Sequence, residues 1–194
     1  MVLAVIDIGS NAIRMVIAQL GPDGAIEILD RLRQAVRLGH DTFQLGRLTA
    51  QSMRSAVTIL RDYRSVVDSY QVDHIRVVAT SAVREASNSD TFIERVFMAT
   101  EFDVSIIGVP EESRLMVLAV RNIAEDQISK RKKVLVAEVG GGSTIVNVLK
   151  SGRIVASQGL PIGSVLLQEV LATSAEPADQ ATRETGYASW YGAR

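Results

Sequence analysis

The chain has 194 residues, 47% of them hydrophobic, with 21 Lys+Arg against 22 Asp+Glu, a formal net charge of −1 and no cysteine. The balanced charge excludes a broad electrostatic footprint for nucleic acid. The lack of cysteine excludes disulfides and thiolate metal sites and fits a cytoplasmic protein, and no apolar run approaches the ~20 residues of a membrane span.

The length suits one large domain or two small ones. The opening MVLAVIDIGSN has no basic stretch and meets an acid at Asp7, so it reads as a strand and not as a signal peptide. Val2–Ile8 is followed by Gly9-Ser10-Asn11 and a second apolar run, Ala12–Leu20. Pro22-Asp23-Gly24 is a turn, and Ala25 to about Leu38 reads as a third strand. Thr49 is an N-cap candidate for a helix to about Tyr70, in which Met53, Val57, Leu60 and Val67 recur at helical spacing and Arg54, Arg61 and Arg64 form a solvated face.

His74–Ala79 is a strand, and Thr80 to Asn88 a polar turn and short helix at its C-terminal end, where open α/β sheets bind ligands. Ser89–Ala99 is a helix with Phe92 and Val96 inward, and Asp103–Val109 a strand. Pro110-Glu111-Glu112 opens a helix to about Ile128, with proline at its first position and acids in its first turn. Glu125 to Lys133 reads as a charged, solvated linker. The expected domains are therefore a first lobe, 1–126, and the start of a second, 127–172. Residues 173–194, with Tyr187, Trp190 and Tyr191, read as a disordered or loosely docked tail.

The stretch KVLVAEVGGGSTIVNVLKSGRIVAS, from Lys133, reads as strand, glycine turn, strand, tight turn, strand. Gly140, Gly141 and Gly142 let the backbone bend sharply and bring N–H groups up to a ligand, and oriented N–H groups make an anion-binding concavity. The N-terminal stretch repeats this plan: Asp7 matches Glu138, Gly9 matches Gly140, and the Pro22–Gly24 turn matches Ser151-Gly152. Two acid-and-glycine turns point to a phosphate clamp. Gly159-Leu160-Pro161-Ile162-Gly163 then leads into a helix from Ser164 to about Leu171.

IDIGSNAIRM, VATSAVREASN, PEESRL, EVGGGST and LPIGSV, in this order, resemble the exopolyphosphatase/guanosine pentaphosphate phosphohydrolase family over about Leu3 to Leu171. The resemblance implies an α/β, actin-like fold of the ribonuclease H-like ATPase superfamily, a mixed sheet with flanking helices, here with an incomplete second lobe. It implies that phosphate binds at Ser10, Asn11 and Arg14 on one lobe and at Gly140, Gly141, Gly142, Ser143 and Thr144 on the other, with Arg84 against the phosphate chain. Glu112 matches the family's catalytic glutamate, which orients and deprotonates water. Asp7 and Glu138 are the implied oxygen donors to Mg²⁺.

The implied activity is release of terminal phosphate from inorganic polyphosphate. The alternatives are guanosine pentaphosphate as substrate and a phosphate-binding or regulatory module with little turnover. An actin-like ATPase or sugar kinase uses the same turns but is disfavoured by the Arg84 and Glu112 blocks. The expected partners are polyphosphate or guanosine penta- or tetraphosphate, with neither nucleic acid nor membrane, and a homodimer is an assembly open to the chain. Two departures stand out: Glu138 replaces the family's Asp, and Ile145 replaces an acid implicated in metal binding. Val109 and Pro110 also stand where the family prefers Gly and a free residue, and the second lobe stops after its first hairpin unit and one helix.

Overall fold

The computed structural model describes residues 1–129 and 131–173. Two sheets carry it. In the first, β1 (Val2–Ile8), β2 (Ala12–Leu20) and β3 (Ile26–Ala35) form an antiparallel meander. β4 (His74–Ala79) joins β1 in parallel, and β5 (Val104–Ile106) joins β4, giving the order β3-β2-β1-β4-β5. Strand alternation puts Ala4, Ile6 and Ile8 of β1 and Ile13, Met15 and Ile17 of β2 into the core.

Against them pack α2 (Ala50–Ser69), through Met53, Val57, Leu60, Tyr63 and Val67, and α4 (Ser89–Thr100), through Phe92 and Val96. Burying a side chain such as Leu60 stabilises by about 1.5–3 kcal/mol. The Thr49 side chain caps α2, accepting from Ser52 N at 3.2 Å. The Tyr63 hydroxyl, buried under the sheet, finds its acceptor in the Ile13 carbonyl at 3.0 Å.

The second sheet is β6 (Lys133–Val139), β7 (Thr144–Lys150) and β8 (Arg153–Leu160), all antiparallel. One face is covered by α5 (Val109–Ser129), whose Met116, Val117 and Ile128 meet Val136, Ile145 and Leu149. The helix runs through residues expected to begin a linker. Ile128 is the reason: it is 5% exposed and continues the apolar stripe of Val117 and Val120 within a charged stretch. A kink at Ala124 (φ −130°, ψ 29°) lets the stripe follow the sheet. α5 thus starts at the end of the first sheet and packs on the second.

Three further helices connect these elements. α1 (Leu38–Leu45) follows β3, which ends at Ala35 and not at Leu38, and α3 (Ser81–Arg84) follows β4. α6 (Ser164–Thr173) follows β8 and docks on α1. There His40 Nδ1 lies 2.8 Å from Glu169 Oε1, and Gln44 Nε2 donates to Glu169 Oε2 at 3.2 Å. The tail expected from residue 173 falls outside the described residues. Among the described residues no helix is long and apolar enough to cross a membrane.

Candidate active site

β1 and β4 are parallel neighbours, with Asp7 opposite Val78 and Ile8 opposite Ala79, so their C-terminal ends open side by side. β1 empties into the Gly9–Asn11 turn, β4 into Thr80 and α3, and β5 into Ile107-Gly108 and the start of α5. β6 brings Glu138 and the glycine triplet up to the same place. The two turns close alike: Gly9 N donates to Ala12 O at 3.1 Å, and Gly140 N to Ser143 O at 2.8 Å. The repeat seen in the residues is therefore a repeat of hydrogen-bonded geometry. Among the described residues, no backbone carbonyl accepts from the N–H groups of Ser10, Asn11, Gly141 or Ser143. These four residues line a cavity of about 550 Å³.

The two turns touch. A Cβ on Gly141 would lie 2.8 Å from Ser10 Cβ, so only glycine allows this approach. A Cβ on Gly142 would lie 2.3 Å from Phe43 Cζ on α1. Gly142 therefore packs away from the cavity, while Gly140, Gly141 and Ser143 line it. Thr144 does not line it either, since its hydroxyl donates to the Ile162 carbonyl at 2.5 Å and ties β7 to the chain before α6. Ser81 joins the floor, its Oγ 3.0 Å from Ser10 Oγ with both residues buried.

The two acids at the start of α5 part company. Glu111 accepts two hydrogen bonds from Arg114, each 2.8 Å, which hold its carboxyl below the usual carboxylate range. It acts as a surface ion pair. Glu112 turns the other way, lines the cavity and accepts from Arg84 Nη1 at 2.8 Å. The same nitrogen donates to the Ile107 carbonyl at 2.8 Å. Arg84 is thus not on the cavity wall but stands beside Glu112 and fixes it.

Ser113 pins the next residue of α5 to the second sheet. Its hydroxyl donates to Asn147 Oδ1 on β7 and lies 2.9 Å from Ser157 Oγ on β8. Ser113 and Asn147 are both almost wholly buried. Glu112 is therefore held from both sheets.

Register sharpens the contrast between the two acids. Asp7 is paired across strands with Arg14, and their side chains meet at 2.9 Å. Glu138 is paired with Ile145, which is 4% exposed and belongs to the second core. The first acid has a cation beside it and the second has a hydrocarbon. Burial raises the Asp7 carboxyl, with the Arg14 hydrogen bond and charge opposing. Burial also raises Glu138, the charges of Glu112 and Asp7 add to the rise, and Arg14 opposes it.

A carboxyl raised in the fold favours folding below its ordinary value, and that advantage fades as pH climbs through the folded value. Glu138→Gln should accordingly raise Tm at neutral pH, with the gain vanishing below about pH 4.5, the ordinary glutamate value. Thermal melts across pH check this, and a gain that persists at acid pH would contradict it.

Sequence reasoning passed over Ser81 and Ser164 on the cavity wall and Phe43 beneath Gly142. The two serines stand inside the TSAVRE and LPIGSV blocks, so a signal existed for them. Nothing in the pattern around Phe43 marked it.

The model of the Ppx/GppA phosphatase family matches residues 16–186. The chain belongs to this family. It is 31% identical over 188 residues to exopolyphosphatase 2 of Mycobacterium tuberculosis, covering 92% of this chain and 57% of that protein. The Aquifex aeolicus Ppx/GppA enzyme matches with a TM-score of 0.76 at 32% identity, over 95% of this chain and 60% of that one. An exopolyphosphatase structure from Cytophaga hutchinsonii matches with a TM-score of 0.82 at 26% identity, over 95% of this chain and 58% of that one. The fold is the actin-like one expected, and the chain spans less than two thirds of the length of these relatives.

Proposed function

We propose that the chain hydrolyses the terminal phosphoanhydride of inorganic polyphosphate. One observation carries this: a glutamate held at 2.8 Å by an arginine lines a cavity together with Ser10, Asn11, Gly141 and Ser143 of two turns, whose N–H groups have no backbone acceptor among the described residues. The turns suit phosphate oxygens by oriented backbone donors. Glu112 suits the proton of an attacking water. Little covalent chemistry is asked of the protein, as phosphoryl transfer depends on positioning and charge. The exopolyphosphatase relatives support the substrate class.

Asp7 and Glu138 are the residues that would hold a divalent cation. Among the described residues no three acids or histidines gather closely enough to enclose one. Two carboxylates that line one cavity fit Mg²⁺, which keeps several waters and relies on substrate phosphates for the rest of its shell. When bound, the ion would neutralise charge on the phosphoryl oxygens.

The test is orthophosphate release from long-chain polyphosphate and from guanosine pentaphosphate, with Mg²⁺ and after chelation. Release from polyphosphate that chelation abolishes is the expected result. Release from guanosine pentaphosphate alone would transfer the assignment to the nucleotide. Binding of either without release would favour a binding module, a role that Ile145 opposite Glu138 makes worth testing.

A further inference from the structure

Asn147, in the middle of β7, is wholly buried, yet its amide is only half used. Its Oδ1 accepts from the Ser113 hydroxyl, and its Nδ2 has no acceptor among the described residues. Its neighbours on the same face of β7, Ile145 and Leu149, belong to the second core, and Val136 stands opposite it on β6. A buried donor without a partner costs stability, and an apolar side chain of similar shape avoids that cost. Packing alone therefore does not account for an asparagine here.

The amide serves the helix above it. Ser157 on β8 is the cross-strand partner of Asn147, so the two side chains share the face that α5 covers. The Ser113 hydroxyl meets both, donating to Asn147 Oδ1 and lying 2.9 Å from Ser157 Oγ. One turn earlier, Val109 abuts β8 so closely that a Cβ on Gly159 would fall 2.9 Å from Val109 Cγ1. The first turns of α5 are thus seated at two points four residues apart, and the seat at Ser113 is directional.

Direction matters because Glu111 and Glu112 are neighbours on this helix. Successive helical residues point about 100° apart, so rotating α5 toward the next position turns Glu112 away from the cavity. The apolar stripe of Met116, Val117 and Val120 resists rotation weakly, since hydrophobic contact is non-directional and a methionine adapts to a changed surface. A buried hydrogen bond between helix and sheet specifies one arrangement. We infer that Asn147 is a positioning residue for the hydrolysis: through Ser113 it sets the rotation of α5 that brings Glu112 to the cavity and to Arg84. Asn147 does not line the cavity itself, and the inference rests on the reading of Glu112 as the base.

The test is the double variant Ser113→Ala/Asn147→Leu, which removes the hydrogen bond and leaves neither residue with an unpartnered polar group. Its Tm should equal or exceed that of the wild type. Its kcat for orthophosphate release from polyphosphate should fall about tenfold, the scale of a slightly misplaced catalytic group, with KM within about twofold of wild type. A crystal structure of the variant should show Glu112 moved from its place 2.8 Å from Arg84 Nη1. Ser113→Ala alone should lower Tm as well as kcat, because it takes from the Asn147 amide the partner it has. Ser157→Ala should lower both less, since water can reach its exposed position.

Wild-type kcat in the double variant would overturn the inference, and so would a Glu112 that has not moved. Should the double variant fold poorly, Ser113→Thr against Ser113→Ala decides: the threonine hydroxyl should recover most of kcat, and equal kcat in the two overturns the inference. The Glu112→Gln background separates this from the reading of the base. There the double variant should lower kcat no further, because its effect passes through Glu112. If Glu112→Gln alone keeps full activity, the base assignment falls, and the place of Glu112 in the double variant's crystal structure still decides whether Asn147 sets the rotation of α5.

Discussion

Glu112→Gln should lower the rate of orthophosphate release by about 10²–10⁴-fold, the usual contribution of a positioned general base, and leave phosphate-chain affinity within a few-fold of wild type. Glutamine keeps the shape of the side chain, and its carbonyl oxygen can still accept from Arg84 Nη1, now 2.8 Å from Glu112 Oε2. What it loses is the negative charge and the capacity to take a proton from water. Arg84 retains its second acceptor, the Ile107 carbonyl at 2.8 Å, so the loop between β5 and α5 stays tied. A purely structural Glu112 would instead show its loss in Tm with kcat unchanged.

Glu111→Gln is the internal control. Glu111 is as acidic and one residue away, yet it is turned to Arg114 and does not line the cavity. Its substitution should leave kcat at the wild-type level. Single-turnover measurement of phosphate release, with binding followed separately, distinguishes these cases. Full activity in Glu112→Gln would remove Glu112 from the chemistry.

The difference between these two glutamates shows where the sequence stops being legible. Both sit in the first turn of α5, directly after Pro110, and the helix dipole favours each of them equally. Only the three-dimensional placement of α3 beside the start of α5 separates them, by giving Arg84 to one and leaving Arg114 to the other. The strands His74–Ala79 and Val2–Ile8, the capped helix α2 and the two glycine turns were all readable, because each rests on local periodicity or local turn chemistry. α1 was not. Its sequence LGHDTFQL is short, starts next to a glycine and buries Asp41 and Thr42, so no apolar stripe announces it. Asp41 is accommodated by the Thr49 N–H at 2.8 Å and Thr42 by the Ala82 carbonyl at 2.8 Å, contacts that sequence spacing does not reveal.

Ile145 shows the same limit. As a motif position it stands where the family has an acid. By register it is the counterpart of Arg14, since each is the cross-strand partner of the acid in its own turn. The substitution therefore changes two things at once. It leaves the proposed cation side without the acid that the family resemblance implies, and it fills the second core under α5.

Gly163→Ala is the substitution expected to damage the cleft most without touching a charged group. A Cβ there would fall 2.3 Å from Gly141 O, 2.4 Å from Gly141 C and 2.5 Å from Gly142 C. All three are backbone atoms, so no side-chain rotation relieves the clash, and either α6 or the glycine turn must move. α6 is what holds that turn in place. Ser164 N donates to Gly140 O at 2.9 Å, and Val165 N and Leu166 N donate to Gly141 O at 2.9 and 3.1 Å. The first N–H groups of the helix satisfy the turn's carbonyls, while among the described residues the N–H groups of Gly141 and Ser143, which line the cavity, have no backbone acceptor.

Overpacking of this kind costs about 1–3 kcal/mol, and a displaced cradle should weaken tripolyphosphate binding by about tenfold or more, since each misplaced charge-assisted donor is worth ~1.5–3 kcal/mol. Gly24→Ala supplies the comparison. Gly24 has a conformation that favours glycine, with φ +82°, and nothing lies within 4 Å of its Cβ position. It should lower Tm through backbone strain alone and leave binding unchanged. Gly142→Ala should fall between them, because the Phe43 ring it meets can turn aside. Wild-type tripolyphosphate affinity in Gly163→Ala would mean that the N–H groups of the glycine turn do not hold the phosphate. The affinity order Gly24→Ala, Gly142→Ala, Gly163→Ala, from tightest to weakest, is what a cradle built jointly by the triplet and α6 requires.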